Sequence, residues 1–342
     1  MGVSSSVPLP VKTQWFPEFE QNLPSLEGKT VCITGCTTGT GFVVARTAIR
    51  KGASNVLLLN RQSDRAEKAE QLLKGEVVAT SSSSSNIETI PCDLQDFESV
   101  KEAASTIKSK YESVDVLCNN AGVMALEDKA TKDGYDVQMQ TNHLSHFLLT
   151  KELLPLLKKA IQKNGEARIC NHSSEARHGS ALMGEYLEKN GGNLGGNGSS
   201  MFRGEARWVR YQQTKLANSV FSLSLAERIE KTNYQHVLKS VCAQPGQIAT
   251  TNPQKTTTQM GGIGKRMWII GMSQSQEDGS MPIIAACFDP STQNGSFWAP
   301  STSWGGIKGP PIKVAYDYKT MNEDSKTLLW EKSELACGKF EF

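Results

Sequence analysis

The chain has 342 residues and is almost neutral, because 37 Lys and Arg residues balance 35 Asp and Glu residues to a formal net charge of +2. That balance argues against a nucleic-acid-binding protein, which needs a concentrated basic face, and no apolar run approaches the ~18 residues of a membrane span. The eight cysteines are scattered without the Cys/His spacing of a metal site, so we expect reduced thiols in a cytoplasmic protein and no bound metal.

The N-terminal sequence MGVSSS matches the pattern for myristoylation of Gly2 after removal of Met1. One acyl chain binds a membrane only marginally, so this pattern predicts at most a weak association with a membrane surface. The alternative is a disordered Ser-rich tail. We expect residues 1–27 to be a partly disordered extension in front of a single catalytic domain, 28–342.

Apolar runs recur along the chain at the spacing of strand–helix–strand units. Predicted strands cover residues 29–34, 55–60, part of 87–94, 114–120, 167–174, 236–245 and 295–300. Predicted helices cover residues 39–51, 64–73, 97–110, 134–160, 211–230 and 277–288. This alternation predicts an α/β fold with one Rossmann-type, doubly wound parallel sheet of about seven strands and helices on both faces.

Several stretches depart from the alternation. The serine run 81–85 indicates a surface loop, and residues 179–205 form an insertion rich in Gly, Asn and Ser. Residues 251–280 follow the sixth predicted strand and are interpreted as a substrate loop, and residues 301–342 as a C-terminal tail. None of these stretches has the patterning of a separate domain.

The sequence TGCTTGTG, residues 34–41, lies between the first predicted strand and the first predicted helix. Glycines at this junction permit a tight turn, close approach of the backbone to a pyrophosphate and close packing of helix on strand. The start of the helix adds free N–H groups and the positive end of its dipole. We therefore expect a dinucleotide to bind at Gly35, Thr37, Thr38, Gly39 and Gly41.

The second predicted strand ends in Asn60-Arg61, at the place where an NAD-preferring site has an acidic residue. An arginine here can pair with the 2′-phosphate of NADP(H). The alternative is a solvated arginine at the start of a helix. With no acidic residue at the end of the strand, the sequence favours NADP(H) as the cofactor.

Tyr211 and Lys215 in YQQTK lie four residues apart on one face of a predicted helix. A free tyrosine has a pKa near ~10, and a nearby ammonium group favours the phenolate and lowers that pKa. Tyr211 is therefore a candidate general acid for carbonyl reduction or base for alcohol oxidation. The pair alone is weak, because this spacing is common in helices.

Together with the glycine-rich stretch and the Tyr–Lys pair, four further motifs carry a family resemblance: NNAG (119–122), TNHLSHFLLT (141–150), ICNHSS (169–174) and QPG (244–246). In this order, over roughly residues 28–300, the chain resembles the short-chain dehydrogenase/reductase family. TNHLSHFLLT and YQQTKLAN are most similar to its retinol dehydrogenase and protochlorophyllide reductase branch.

The resemblance implies a role for each member of a catalytic tetrad. Tyr211 would exchange the proton, and Lys215 would lower its pKa and bind the nicotinamide ribose. Ser174 would hydrogen-bond the substrate oxygen, with Ser173 as the competing candidate. Asn142 would hold a water in the proton relay.

The resemblance also implies cofactor contacts beyond the glycine-rich stretch and Arg61. Three histidines, His143, His146 and His172, are interpreted as packed or hydrogen-bonded rather than catalytic. The implied cofactor-binding residues are Asp93, Leu94, Asn119, Asn120, Ala121, Gly122, Lys215, Pro245, Gly246, Ile248 and Thr250.

Substrate and assembly are implied less directly. The family's Ile and a second apolar residue are replaced by Thr40 and Phe42, and the long insertion is expected to reshape the substrate entrance. The leading hypothesis is an NADP(H)-dependent enzyme that acts on a lipophilic carbonyl or alcohol, such as a retinoid, steroid or aldehyde. The apolar segment Met267–Met272 would either close over this substrate or pack in the core. Alternatives are a protochlorophyllide-reductase-like double-bond reductase and a non-catalytic NADPH-sensing scaffold. The family implies a homodimer or homotetramer.

Overall fold

The structure is a computed structural model that describes residues 11–80, 85–200, 204–246, 274–302 and 307–342. Its strands are β1 Thr30–Thr34, β2 Asn55–Asn60, β3 Asn86–Pro91, β4 Val116–Asn119, β5 Ala167–His172, β6 Leu238–Ala243, β7 Phe297–Pro300 and β8 Pro311–Lys313. They form one sheet in the order β3-β2-β1-β4-β5-β6-β7-β8. Strands β1 to β7 pair in parallel, and β8 pairs antiparallel to β7.

The helices lie on both faces of this sheet. They are α1 Phe16–Gln21, α2 Gly39–Arg50, α3 Asp64–Thr80, α4 Phe97–Lys110, α5 Val137–Met139, α6 Ser145–Asn164, α7 Ala206–Ile229, α8 Gln276–Phe288, α9 Tyr318–Met321 and α10 Glu323–Cys337. Two buried apolar clusters cover the two faces, one built on α4, α6 and α7 and the other on α2 and α8. The predicted doubly wound parallel sheet is confirmed, with eight strands instead of about seven.

The strands at the centre of the sheet are buried along their full length. Every residue of β1, β4 and β5 is buried, which explains why β1 and β4 are largely apolar; β5 also buries Arg168, Asn171 and His172. Parallel strands place their carboxyl ends at one edge, and the order reverses between β1 and β4. That reversal creates the crevice where ligands bind in open α/β sheets.

The predicted helix 134–160 is interrupted. It consists of α5, a π-helical turn Gln140–Leu144 and then α6. A π-turn inserts one extra residue into the helix and is often found at functional sites. Here the inserted turn contains Asn142.

The C-terminal residues form regular structure that the sequence patterns did not predict. Strand β8 extends the sheet, and α10 packs on α6 and α7 through an aromatic cluster in which the Trp330 ring lies 5.4 Å from the rings of both Phe147 and Phe340. At the other terminus, Asp278 of α8 accepts hydrogen bonds from the backbone N–H groups of 14–16 at the start of α1.

Among the described helices, none combines the length and apolar character needed to cross a bilayer. The predicted myristoylation site Gly2 lies outside the described residues.

Candidate active site

The glycine-rich turn connects β1 to α2 and is shaped by close contacts. Gly35 and Gly39 have φ angles of +74° and +73°, which residues with a Cβ rarely adopt. A Cβ on Gly35 would lie 2.9 Å from Ala121 Cα, and one on Gly41 would lie 2.4 Å from both Asn120 Nδ2 and Gly35 O. The turn therefore requires glycine at these positions, and it directs the start of α2 toward the crevice.

Asn120 braces this turn from the end of β4. Its Nδ2 donates to Thr34 O at 2.9 Å, and its Oδ1 accepts a 2.7 Å hydrogen bond from Thr40 Oγ1. Ala121 N donates to Thr34 Oγ1 at 3.0 Å. Asn119 donates to Asn171 Oδ1 on β5 at 2.9 Å. These residues thus join the cofactor-side strands.

Asn60 holds the turn from the opposite side. Its side chain is buried, and its Oδ1 accepts a 2.7 Å hydrogen bond from Cys36 N. The residue at the position of the usual acid therefore points into the protein. The sequence analysis considered Asn60 only because it replaces the acidic residue of an NAD-preferring site, and it did not predict this hydrogen bond to the glycine-rich turn.

A cavity of about 480 Å³ lies beside the ends of β2 and β3. Two exposed arginines, Arg61 and Arg65, stand at its wall, and neither forms an ion pair with any residue in the described ranges. Asp93 also lines the cavity, whereas Leu94 is buried. The complete lining is Arg61, Gln62, Ser63, Arg65, Pro91, Cys92, Asp93 and Ser99.

Arg65 was not predicted from the sequence. It lies in the first turn of α3, after Asp64, and only the direction of that helix relative to β2 brings its guanidinium to the same cavity as Arg61. Two cations, hydroxyl groups and an open cavity fit the phosphate-bearing adenosine end of NADP(H).

The predicted catalytic side chains converge at the carboxyl ends of β4 and β5. Lys215 Nζ lies 5.8 Å from the centre of the Tyr211 ring and donates to His172 O at 2.9 Å. A Cβ on Gly122 would lie 3.4 Å from both Lys215 Nζ and Asn142 Oδ1. The Lys215 ammonium group and the Asn142 amide thus lie beside one glycine of the NNAG motif, with the Tyr211 ring next to Lys215.

The two candidate serines have different surroundings. Ser173 is buried, and its Oγ donates to Lys215 O at 2.7 Å. Ser174 begins the short 3₁₀ turn Glu175–His178, where its Oγ accepts a 3.2 Å hydrogen bond from Ala176 N, and its side chain lies close enough to the Tyr211 phenol to act toward a lower pKa of Tyr211. The geometry therefore brings Ser174, and not Ser173, to Tyr211.

Asn142 lies at the middle of the π-turn with its side-chain amide fully engaged. Its Oδ1 accepts from Val123 N at 2.7 Å, and its Nδ2 donates to Val123 O at 2.9 Å and to Thr214 Oγ1 at 2.8 Å. Asn142 therefore ties the NNAG loop to α7, while its predicted role in holding a water stays a prediction.

Burial dominates the protonation of the two key groups. It raises the pKa of Tyr211 to about 12, although hydrogen bonding with Ser174 acts to lower it. Burial also lowers the pKa of Lys215 to about 8. Burial of the phenol is the largest influence on the pKa of Tyr211, so the net shift is upward, whereas the sequence analysis expects Lys215 to lower that pKa. At neutral pH Tyr211 therefore carries its proton and Lys215 its charge.

The three histidines near the site are buried and hydrogen-bonded. Burial lowers the pKa of His143 to about 3, of His146 to about 4 and of His172 to about 3. His146 Nε2 lies 2.9 Å from Thr34 Oγ1, and His172 Nδ1 lies 3.1 Å from Asn120 Oδ1. They are neutral packing residues, as the sequence analysis expects.

The insertion 179–205 is held to the body by Arg210, the residue before Tyr211. Arg210 is fully buried, and its Nη1 donates to Leu194 O at 2.8 Å and to Gly196 O at 3.0 Å. Asp128 accepts hydrogen bonds from the N–H groups of the same two residues and lies 3.5 Å from Arg210 Nη1. No sequence pattern indicated this contact.

The Pro245–Gly246 turn follows β6 at the same edge of the sheet. Pro245 O accepts a 2.7 Å hydrogen bond from Gln274 Nε2, and Gly246 has a φ of +66°. The other predicted contacts of this loop, Ile248 and Thr250, and the segment Met267–Met272 lie outside the described residues.

Comparison with known proteins gives consistent relatives. Residues 29–187 match the family model for short chain dehydrogenase. An uncharacterized oxidoreductase of Schizosaccharomyces pombe is 36% identical over 231 residues, which are 67% of this chain and 63% of that protein. A short-chain dehydrogenase/reductase of Armillaria gallica is 35% identical over 242 residues, 70% of this chain and 71% of that protein. Human retinol dehydrogenase 13 is 32% identical over 206 residues, 60% of this chain and 56% of that protein.

Solved structures agree with this result. An uncharacterized protein from Mycobacterium paratuberculosis superposes with a TM-score of 0.70 at 27% identity, covering 97% of this chain and 100% of that one. A short chain dehydrogenase from Shigella flexneri, solved with NADP, has the same fold, with a TM-score of 0.56 at 19% identity over 81% of this chain and 98% of that one. The chain belongs to the short-chain dehydrogenase/reductase family, whose members are oxidoreductases, and it is similar to the retinol dehydrogenase-like branch.

Proposed function

We propose that the protein is an NADP(H)-dependent oxidoreductase that interconverts a lipophilic carbonyl compound and its alcohol. The observation that carries this proposal is the grouping of a protonated Tyr211 phenol, the Ser174 hydroxyl and the Lys215 ammonium group beside the crevice of the sheet. A sensing scaffold would need only the nucleotide-binding half of this arrangement.

The preference for NADP(H) rests on the cavity that Arg61 and Arg65 border. Two guanidinium groups without an ion pair in the described part of the chain are a suitable environment for a 2′-phosphate, and Asn60 turns away from the cavity to brace the glycine-rich turn. The Shigella flexneri relative binds NADP. These observations support NADP(H) over NAD(H) for this chain.

In the proposed reaction, the nicotinamide cofactor supplies or accepts the hydride. Tyr211 donates its proton to the carbonyl oxygen during reduction, because its pKa of about 12 keeps the phenol neutral. Ser174 donates a hydrogen bond to the same oxygen and stabilises the charge that develops there. The Lys215 ammonium group keeps this region positive and stabilises the Tyr211 phenolate that forms when the proton is transferred.

The lipophilic substrate class rests on similarity to the retinol dehydrogenase branch, including human retinol dehydrogenase 13. Arg210 and Asp128 bind the insertion at Leu194, and Asp128 follows the NNAG motif in the chain; this contact supports a role for the insertion at the substrate entrance. We infer that this entrance selects among lipophilic carbonyl compounds.

The test is a turnover assay with purified protein. NADPH and NADH are each offered with retinal, a steroid ketone and medium-chain aldehydes, and absorbance of the reduced nicotinamide is followed. We expect NADPH-dependent reduction of at least one carbonyl compound and a roughly 10²- to 10⁴-fold loss of kcat in Tyr211→Phe, with unchanged NADPH binding. Exposed Tyr318→Phe is the matched control. NADPH binding with no turnover of any carbonyl compound contradicts the proposal, and light-dependent turnover of a tetrapyrrole would favour double-bond reduction.

A further inference from the structure

The backbone that carries Ser174 is held by one buried arginine. Arg177 lies at the end of the 3₁₀ turn that Ser174 begins, and its backbone N–H donates to Ser174 O at 3.0 Å. Its side chain returns to the same carbonyl, with Nη1 at 3.2 Å from Ser174 O. Only 4% of Arg177 is exposed. The position of the Ser174 hydroxyl thus depends on where this guanidinium group is fixed.

The guanidinium group is fixed from two other segments. Its Nη1 also donates to Gln244 Oε1, in the residue before the Pro245–Gly246 turn. Its plane lies over the Phe297 ring of β7, 4.6 Å from the ring centre. Arg177 therefore connects the serine turn to the turn after β6, on the side predicted for the nicotinamide ring.

The charge of Arg177 is balanced mainly by Asp317 in the C-terminal segment, while the more exposed Glu175 lies 3.6 Å from Arg177 Nη1. Arg177 Nε donates to Asp317 Oδ2 at 2.9 Å, and both side chains are largely buried. Asp317 also begins α9, where its Oδ1 accepts from Lys319 N and Thr320 N, each at 3.1 Å. One carboxylate oxygen thus caps a helix and the other holds the arginine.

We propose that Arg177 and Asp317 are positioning residues of the active site, through which the C-terminal segment sets the orientation of the Ser174 hydroxyl. The inference rests on the proposed function, because Ser174 is taken as the hydrogen-bond donor to the substrate oxygen. Neither residue touches the substrate. A charge-assisted hydrogen bond is shorter and stronger than a neutral one, and displacement of a catalytic group by about 1 Å can cost roughly 10²-fold in rate.

The decisive variant is Asp317→Asn. Asparagine keeps an Oδ1 acceptor for the two N–H groups of α9, so the helix cap is kept. Its N–H₂ group is a donor and faces the donor Arg177 Nε, so the ion pair is lost. We expect kcat to fall roughly 10- to 100-fold with unchanged NADPH affinity. Arg177→Lys, which keeps the charge and loses the fork, should act in the same direction.

A matched control separates positioning from general loosening of the C-terminal segment. Lys326 of α10 pairs with Glu227 of α7 at 2.6 Å, away from Ser174, and Glu227→Gln breaks this second anchor. We expect its kcat to equal that of the wild type. A loss equal to that in Asp317→Asn would overturn the proposal, because detachment of the segment would then explain both.

A double-variant cycle tests whether the effect passes through Ser174. If it does, Asp317→Asn should change kcat little once Ser174→Ala has removed the hydroxyl. Independent, multiplicative losses would overturn the proposal.

Hydrogen–deuterium exchange of the backbone amides of residues 174–179 tests the same proposal without measuring enzyme activity. We expect faster exchange of the Arg177 amide in Asp317→Asn than in Glu227→Gln. Inactivity of the wild type would overturn the proposed function alone, whereas unchanged exchange in Asp317→Asn would overturn the positioning role.

Discussion

Removal of Arg61 or Arg65 is expected to weaken NADPH binding and to leave NADH binding unchanged. Both side chains are exposed at the wall of one cavity, and neither has to leave an ion partner in the described part of the chain in order to meet a phosphate. The 2′-phosphate is the only difference between the two cofactors, so NADH is an internal control for damage to the rest of the site.

The magnitude follows from the type of contact. A hydrogen bond to a charged group contributes about 1.5–3 kcal/mol, and exposure to solvent places these arginines at the lower end. Because 1.4 kcal/mol corresponds to a tenfold change in Kd, each Arg→Ala variant should weaken NADPH binding roughly tenfold. The double variant should lose roughly 100-fold if the two contacts are independent.

The assay is fluorescence titration of NADPH and NADH at two salt concentrations. Because salt screens exposed charges, the ratio of NADPH affinity to NADH affinity should fall as the salt concentration increases. In the double variant this ratio should not depend on salt. Equal losses for NADPH and NADH would refute the reasoning, because they would show a damaged fold. Unchanged NADPH affinity in both single variants would show that the phosphate binds elsewhere.

Three further predictions concern Arg210, the C-terminal helix and Asp136, which precedes α5 and lies 3.4 Å from Arg210 Nε. Arg210→Met should lower the free energy of unfolding by roughly 3–5 kcal/mol, because it leaves buried carboxylates without their cation. Urea denaturation measures this free energy, and the control is Arg207→Met, at a partly exposed arginine. A loss of stability in Arg210→Met no larger than that in Arg207→Met would contradict the prediction. Burial raises the pKa of Asp136 to about 6, above its value near ~3.9 in the unfolded chain. The protonated carboxyl therefore stabilises the fold below about pH 4, and this contribution is lost as the pH rises through 6. Asp136→Asn should remove this part of the pH dependence of Tm, and identical Tm profiles would count against it. The family resemblance implies a homodimer or homotetramer, but α10 packs on α6 and α7; we therefore expect light scattering to find a monomer, and a dimer formed through these helices would disprove that expectation.

Local sequence was sufficient where one short segment determines its own structure. The buried strands β1 and β4 were recognisable because strands covered on both faces are largely apolar along their length. The turn at Gly35 and Gly41 was recognisable because no other residue fits such close backbone contacts. The order of these elements was enough to predict a doubly wound sheet and its crevice.

Tertiary structure decided which way individual side chains point. Ser173 and Ser174 are adjacent and chemically identical, and only the path of the chain after β5 directs one to Lys215 O and the other to Tyr211. Asn60 is likewise indistinguishable from an exposed asparagine until the glycine-rich turn folds back onto it.

The longest-range contacts were beyond any sequence pattern. Arg177 meets Asp317, and Arg210 meets the backbone at Leu194 and Gly196, across segments that sequence analysis treated as a tail and an insertion. A charged residue in a sequence looks solvated by default, because its burial depends on partners that are distant in the chain. The sequence alone thus determined the fold class and the chemistry available, and the tertiary structure determined which charges are buried, paired and placed beside the reacting groups.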